Sequence, residues 1–239
     1  MKKTLVVVLV CLVCSSCTKL YNLKERLTLD VSVIDESNTE LANVNIDVFA
    51  DNYRSLFLPD VVQGINPKFQ PPDYNNDLIS FGETDLDGNA RLHFPRDGGG
   101  SKDNDYQVIL SKDEEGRKPL RIFLKIDDFQ DFYVQIPPQK LYLQADLTPF
   151  LVSSNLSADY SLVEYELIGE VAHDFITVDE FSAPKKYTQV QEIIDVQKNQ
   201  TLQLNYTLLE NIPGNSNEIT YQVFIEIGEE LTEYAIENP

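Results

Sequence analysis

The chain has 239 residues, with 39 acidic against 19 basic side chains, a formal charge of −20, no tryptophan and three cysteines. That balance repels phosphate backbones and anionic headgroups and so argues against a nucleic-acid partner. The acidic residues are spread along the sequence and read as a solvated surface.

All three cysteines fall in "CLVCSSC", at positions 11, 14 and 17. An iron–sulfur run needs a fourth cysteine and polar turns between its ligands, and neither is present. Instead Met1, Lys2 and Lys3 lead into the apolar stretch "LVVVLVCLVC", followed by Ser15 and Ser16. A basic start, an apolar run of about 7–15 residues and a small-residue end make a secretory signal, too short to span a bilayer. Within it Cys11 and Cys14 serve as small hydrophobes. The small–small–Cys ending resembles the lipobox of bacterial lipoproteins, with Cys14 at the −3 position where leucine is usual. Cys14 itself follows Val13, which is not small, so the resemblance assigns lipid to Cys17. It implies a signal peptide over residues 1–16, cleavage before Cys17, and a diacylglycerol and an N-acyl chain (palmitate-type) on that residue. Each buried methylene contributes ~0.8 kcal/mol, so several chains anchor stably. The chain after cleavage has 223 residues, a charge of −22, and no cysteine besides Cys17. No internal disulfide can form, no cofactor beyond the acyl chains is expected, and stability rests on a packed core.

After a tether over residues 17–26, hydrophobic alternation begins. In "LTLDVSVID" Leu27, Leu29, Val31 and Val33 share one face; Val44, Ile46 and Val48 repeat the pattern, as do Ala90, Leu92 and Phe94. "YQVILS" and "LRIFLKID" continue at period two. Half-buried strands between turn signals predict an all-β sandwich. Adjacent prolines in "IPPQ" (136–139) cannot donate to a ladder and read as a linker. Strands resume with "KLYLQADL", "SLVEYELIG", "DFITV", "TLQLNYTLL" and "EITYQVFIEIG". Only 188–196 has helical spacing, through Val190, Ile193 and Ile194. The expected organisation is two β-sandwiches, over 27–137 and 138–239; a single larger sandwich is the alternative.

In "GETDLDGNARLHF", Thr84, Asp85 and Gly88 build a turn: Asp bonds its own backbone and Gly88 supplies positive φ. Leu41, Asn43, Val44, Ile46 and Val48 upstream fit a second strand of the form x-L-x-N-V-x-V. Together, over about residues 27–126, these resemble the carboxypeptidase-regulatory-like, prealbumin-like sandwich, an immunoglobulin-like architecture. The family joins its second and third strands closely, whereas here a long segment intervenes. Such modules serve many unrelated proteins, so the resemblance implies a fold and little function. Asp85, Asp87 and Asn89 also echo the start of a calcium loop, but the required glycine and the position-12 glutamate are missing, and no metal is expected. "DGGGSKDND" (97–105) precedes a strand rather than a helix N-terminus and reads as a loop.

Catalysis needs particular side chains close together. The two histidines, His93 and His173, have no metal-ligand spacing, no G-x-S-x-G is present, and no carboxylate pair stands out, so no enzyme is expected. The intervening segment 52–77 carries Tyr53, Phe57, Phe69 and Tyr74 among four prolines. A loop of that length is usually functional or disordered, and its aromatics are the candidate contact for a ligand or partner. The reading is an envelope lipoprotein of the kind Bacteroidota carry, with a non-catalytic structural or protein-binding role, meeting another envelope protein through sandwich edges or the segment 52–77. The alternative is capture of a glycan or host ligand through the loop. Thr18 stands where aspartate signals inner-membrane retention in some bacteria, favouring the outer membrane. Basic residues in "TKLYNLKE" favour its periplasmic face over the cell surface.

Overall fold

The computed structural model describes residues 21–50, 77–97, 105–212 and 215–239. The first half supplies β1 (Tyr21–Ile34), β2 (Asn45–Ala50), β3 (Asp77–Glu83), β4 (Asn89–Asp97), β5 (Asp105–Ser111), β6 (Leu120–Lys125) and β7 (Tyr133–Lys140). The second half supplies β8 (Leu147–Asn155), β9 (Tyr160–Ile168), β10 (Val171–Ala172), β11 (Phe175–Thr177), β12 (Lys186–Tyr187), β13 (Glu192–Gln197), β14 (Gln200–Ile212), β15 (Asn215–Ile227) and β16 (Thr232–Glu237). The protein is all-β: helical structure among the described residues is confined to short 3-10 turns, and no helix there is long and apolar enough to cross a membrane.

Alternation decides the packing. Leu27, Leu29, Val31 and Val33 on β1 are at most 1% exposed, and the facing strands bury Ile46 and Val48, Val108 and Leu110, and Ile122 and Leu124. A three-stranded sheet, β4-β1-β7, thus lies over a five-stranded one, β11-β6-β5-β2-β3. Phe94, Tyr106 and Phe129 meet between them at centroid separations of 5.4–6.0 Å, two of the three contacts edge-on. Burying each such side chain contributes about 1.5–3 kcal/mol before entropy is counted. A second core gathers Phe150, Val152, Tyr165, Leu204 and Ile236 between sheets β10-β13-β8-β16 and β12-β9-β14-β15. The architecture is two β-sandwiches.

Three local differences from the sequence reading have physical causes. The span 188–196 is not helical. Gln191 takes φ +68° and stops a helical turn, and β13 pairs antiparallel with β8, burying Ile194 and Val196 and leaving Ile193 exposed. Pairing outweighs a weak helical period. The prolines at 137 and 138 do not end β7. It is an edge strand, pairing parallel with β1 alone, and the register shifts between Val31 and Val33 where the missing N–H groups fall. At the start of the chain, β1 already pairs with β4 from Tyr21, across a register shift between Asn22 and Arg26, so ladder structure reaches into the stretch read as tether.

One crossing ties the halves together. β11 pairs parallel with β6, setting Ile176 opposite Ile122, so a strand from the second half of the sequence closes one edge of the first sandwich. Ile176 is 7% exposed in the first core, and Val178 and Phe181 pack against it.

Candidate functional site at the junction of the sandwiches

The expected turn residues lie in the first sandwich. Thr84, 3% exposed, donates through Oγ1 to the Leu41 carbonyl (2.6 Å) and accepts from the Val44 amide (3.0 Å). The Asp85 carboxylate accepts from the amides of Asp87 (3.0 Å) and Asn89 (2.9 Å). Gly88 sits at φ +69°, where a Cβ would lie 2.6 Å from the Val33 carbonyl oxygen. These residues are spent on the turn. The side chains of Asp85 and Asn89 bond the backbone of the turn, and no metal-holding group of three or more His, Cys, Asp or Glu occurs among the described residues. His93 faces solvent on β4, its Nδ1 3.0 Å from the Thr28 hydroxyl. Cys17, the signal peptide and the aromatics Tyr53, Phe57, Phe69 and Tyr74 lie outside the described residues.

Chemistry-bearing side chains gather instead where the sandwiches meet. A cleft of about 350 Å³ is lined by Ile34, Lys118, Lys140, Tyr142, Glu170 and His173, among others. A smaller one of about 210 Å³ lies on the other side of His173, against Glu180, Pro184 and Lys185. The segment from Gly169 to Tyr187 shapes both. Gly169 takes φ +152°, a conformation that favours glycine, and a Cβ there would press on the side-chain ends of Gln200 and Leu202 at 2.8 Å. The Gln200 side-chain amide then bonds both backbone groups of Glu170, at 2.8 and 2.9 Å.

Each charge in the cleft already has its counterpart. Lys140 donates to both Glu170 carboxylate oxygens at 2.8 Å, and the Tyr142 hydroxyl donates to one of them at 2.6 Å. Burial alone would raise the Glu170 carboxyl; these bonds outweigh it and hold it below the ordinary carboxylate range. Burial, and then the Glu170 charge, push the Tyr142 hydroxyl far upward. Lys118 reaches from the first sandwich to Asp195 (2.6 Å), Asp174 (2.7 Å) and the Ala172 carbonyl (3.1 Å). Arg117, 9% exposed, binds Glu36 at 2.8 Å, Glu115 at 3.0 Å and the Leu141 carbonyl at 2.5 Å. Lys185 lies 3.5 Å from the Phe175 ring centroid and donates to that residue's carbonyl.

His173 sits in the middle. Burial first, and then the nearby charges of Lys185 and Lys118, push its imidazole down to about 4, against which Asp174 pulls only weakly. Its Nδ1 is 3.2 Å from the Tyr187 hydroxyl, and Tyr187 in turn stacks on Tyr165 at 4.9 Å. A neutral imidazole between two ammonium groups is a packed polar residue. The hydroxyl beside it is that of Tyr187, which burial holds far above its ordinary range, and the carboxylates here are bound to lysine. What the arrangement does is join two sandwiches. Sequence reasoning missed it because its partners are far apart along the chain: Lys118 and Asp195 are separated by 77 positions, Lys140 and Glu170 by 30.

A third concavity, of about 480 Å³, lies on the outer face of β9, β14 and β15. There Gln203 donates to Asn205 (3.0 Å) and Asn205 to Glu166 (2.7 Å), while Thr207 and Thr220 pair across the strands at 3.2 Å.

No family model matches the chain. No curated protein matches it either. Among solved structures, the TIE protein of Bacillus anthracis is similar at 14% identity and a TM-score of 0.32, over 90% of this chain and 34% of that one. The shaft pilin SpaA of Lactobacillus rhamnosus GG is similar at 10% identity and a TM-score of 0.34, over 90% of this chain and 98% of the pilin. The major pilin SpaD of Corynebacterium diphtheriae is similar at 11% and 0.34, over 86% and 66%. This chain spans about a third of the TIE protein's length. Likeness at this level is shared by β-sandwiches of unrelated role.

Proposed function

We propose that the protein is a lipid-anchored component of the cell envelope, held at the outer membrane through Cys17, with a non-catalytic, protein-binding role. The observation that carries the non-catalytic reading is the junction itself. The residues with the most reactive chemistry, Lys118, Lys140, Glu170 and His173, are engaged in ion pairs, hydrogen bonds and packing that fix one sandwich on the other. A cleft filled by its own counter-charges offers little for a substrate to exchange. A stiff pair of modules suits a body that presents surface rather than one that turns over a ligand. The lipobox resemblance supports the anchor, Thr18 supports the outer membrane, and the basic residues of "TKLYNLKE" support its periplasmic face.

Metabolic labelling with a palmitate analogue tests the anchor. Wild type and Cys14→Ser should incorporate label and fractionate with membranes, whereas Cys17→Ser should do neither. Label retained by Cys17→Ser would overturn the assignment. Protease treatment of intact and lysed cells tests orientation: protection until lysis supports the periplasmic face, and digestion on intact cells moves the protein to the surface.

A further inference from the structure

The second sandwich ends on an edge that the described chain does not complete. β15 runs for 13 residues and pairs along one side with β14; among the described residues no strand pairs with its other side. The opposite sheet ends on β16, and both ends lie on the same flank. Tyr206 of β14 stacks on Tyr221 of β15 at 5.1 Å, and Tyr234 of β16 packs against the same core.

Two features set this edge apart. Its core-facing residues are incompletely covered: Ile219, Tyr221 and Val223 point between the sheets yet are only half-buried, while their cross-strand partners Leu208 and Leu204 are fully buried. On the outer face Phe224 is 66% exposed. Natural edge strands are usually blunted by charged side chains, lysine above all, by proline, by a bulge or by short length; β15 has only the charges of Glu218 and Glu226. β15 contains neither lysine nor proline, and its ladder to β14 runs from Gln200–Ile227 to Ile212–Asn215 without a register shift.

The second feature is charge. Residues 199–239 hold seven glutamates and no lysine or arginine, although the whole chain has 19 basic residues. On β15 itself the outward positions are Glu218, Thr220, Gln222, Phe224 and Glu226, all exposed. A strand added to this edge would set one residue opposite Glu218 and another, eight positions away, opposite Glu226. Opposite charges directly across a pair stabilise it and like charges destabilise it. A second copy of β15 in antiparallel register about Gln222 would oppose Glu218 to Glu226 twice, on chains that already carry −20 each.

We propose that the outer edge of β15 is the docking site for an extended strand of a partner protein that carries basic residues eight positions apart, with apolar residues facing inward between them. The added strand would supply main-chain hydrogen bonds along the edge and cover Ile219, Tyr221 and Val223. This deepens the protein-binding reading above by naming the partner's chemistry.

The probe is a synthetic peptide, Lys-Val-Thr-Val-Thr-Val-Thr-Val-Lys, tested against the whole chain purified from membranes in detergent. Its controls are the same peptide ending in glutamates and one with a central proline. The lysine peptide should bind about tenfold or more tightly than the glutamate peptide, from two cross-strand charge pairs switched in sign. It should also slow amide exchange along β15, and the proline peptide should fail. Glu218→Lys/Glu226→Lys should reverse the preference, and Phe224→Lys, at a solvent-facing position, should weaken binding of the lysine peptide. Equal binding of the two charged peptides, no slowing of β15 amides, or a chain already dimeric through β15 would each overturn the proposal. Loss of lipid from Cys17→Ser leaves the peptide experiment unchanged, so failure of the anchor and failure of the docking site are read separately.

Discussion

His173→Gln offers a direct test of the junction. The folded protein holds the imidazole at about 4, against 6.5 ordinarily, so between those values the unfolded chain binds the proton and the folded chain does not. Stability is therefore complete above pH 6.5 and is lost as pH falls from 6.5 toward 4. At 1.36 kcal/mol per pH unit, the 2.5-unit gap gives at most about 3 kcal/mol, an upper bound because the ring keeps some contact with solvent. Carboxylates held low by their partners, such as Glu170, add their own loss only as pH falls below about 4.5, which leaves pH 6.5 to 5 to the histidine. Urea unfolding of wild type and His173→Gln at half-unit steps from pH 7.5 to 4.5 should give two curves. The wild-type curve should fall steeply across the window, and the variant's should be nearly flat until the carboxylates titrate. NMR of the ring protons should show His173 neutral down to about pH 4. A midpoint near 6.5, or parallel stability curves for the two proteins, would refute the reasoning.

Other outcomes follow from the same geometry. Lys118→Met should destabilise by about 1–3 kcal/mol in urea titration, because it leaves the Ala172 carbonyl and Asp195 without their donor. It should also raise the His173 midpoint, since the Lys118 charge helps hold it down. Gly88→Ala should cost about 1–3 kcal/mol, from the left-handed backbone and the 2.6 Å approach to Val33, measured as a lowered urea midpoint at unchanged slope. Ile176→Ala should cost about 2–5 kcal/mol and speed amide exchange in β6 of the first sandwich, although the substitution falls in the second half of the sequence.

The strands were legible because alternation is a local signal. Leu27, Leu29, Val31 and Val33 announce a buried face in seven consecutive residues, and Leu202, Leu204, Tyr206 and Leu208 do the same on β14. The turn at Thr84, Asp85 and Gly88 was equally readable, since aspartate and glycine act on their own backbone. Where reading failed, the deciding partner lay elsewhere. Ile193 and Ile194 fit a helix until β8 is placed beside them, and Pro137 and Pro138 look like a break until β7 proves to be an edge. Phe175–Thr177 is too short to declare its sheet, and "DFITV" alone does not say that it belongs with β6. The junction was invisible for the same reason: a lysine and an aspartate 77 positions apart share no local pattern.

The crossing of β11 into the first sandwich also bears on how the chain is made. A polypeptide emerging from the ribosome N-terminus first presents β6 long before β11, since Ile122 precedes its partner Ile176 by 54 positions. Until that later stretch arrives, the first module has an open edge at β6 with Ile122 and Leu124 beside it, the kind of edge that recruits unwanted strands. Its completion must wait for synthesis of the following 50-odd residues, so the two modules mature as one unit, and a ribosome stalled or a protease acting between residues 140 and 175 would leave an aggregation-prone fragment rather than a finished domain.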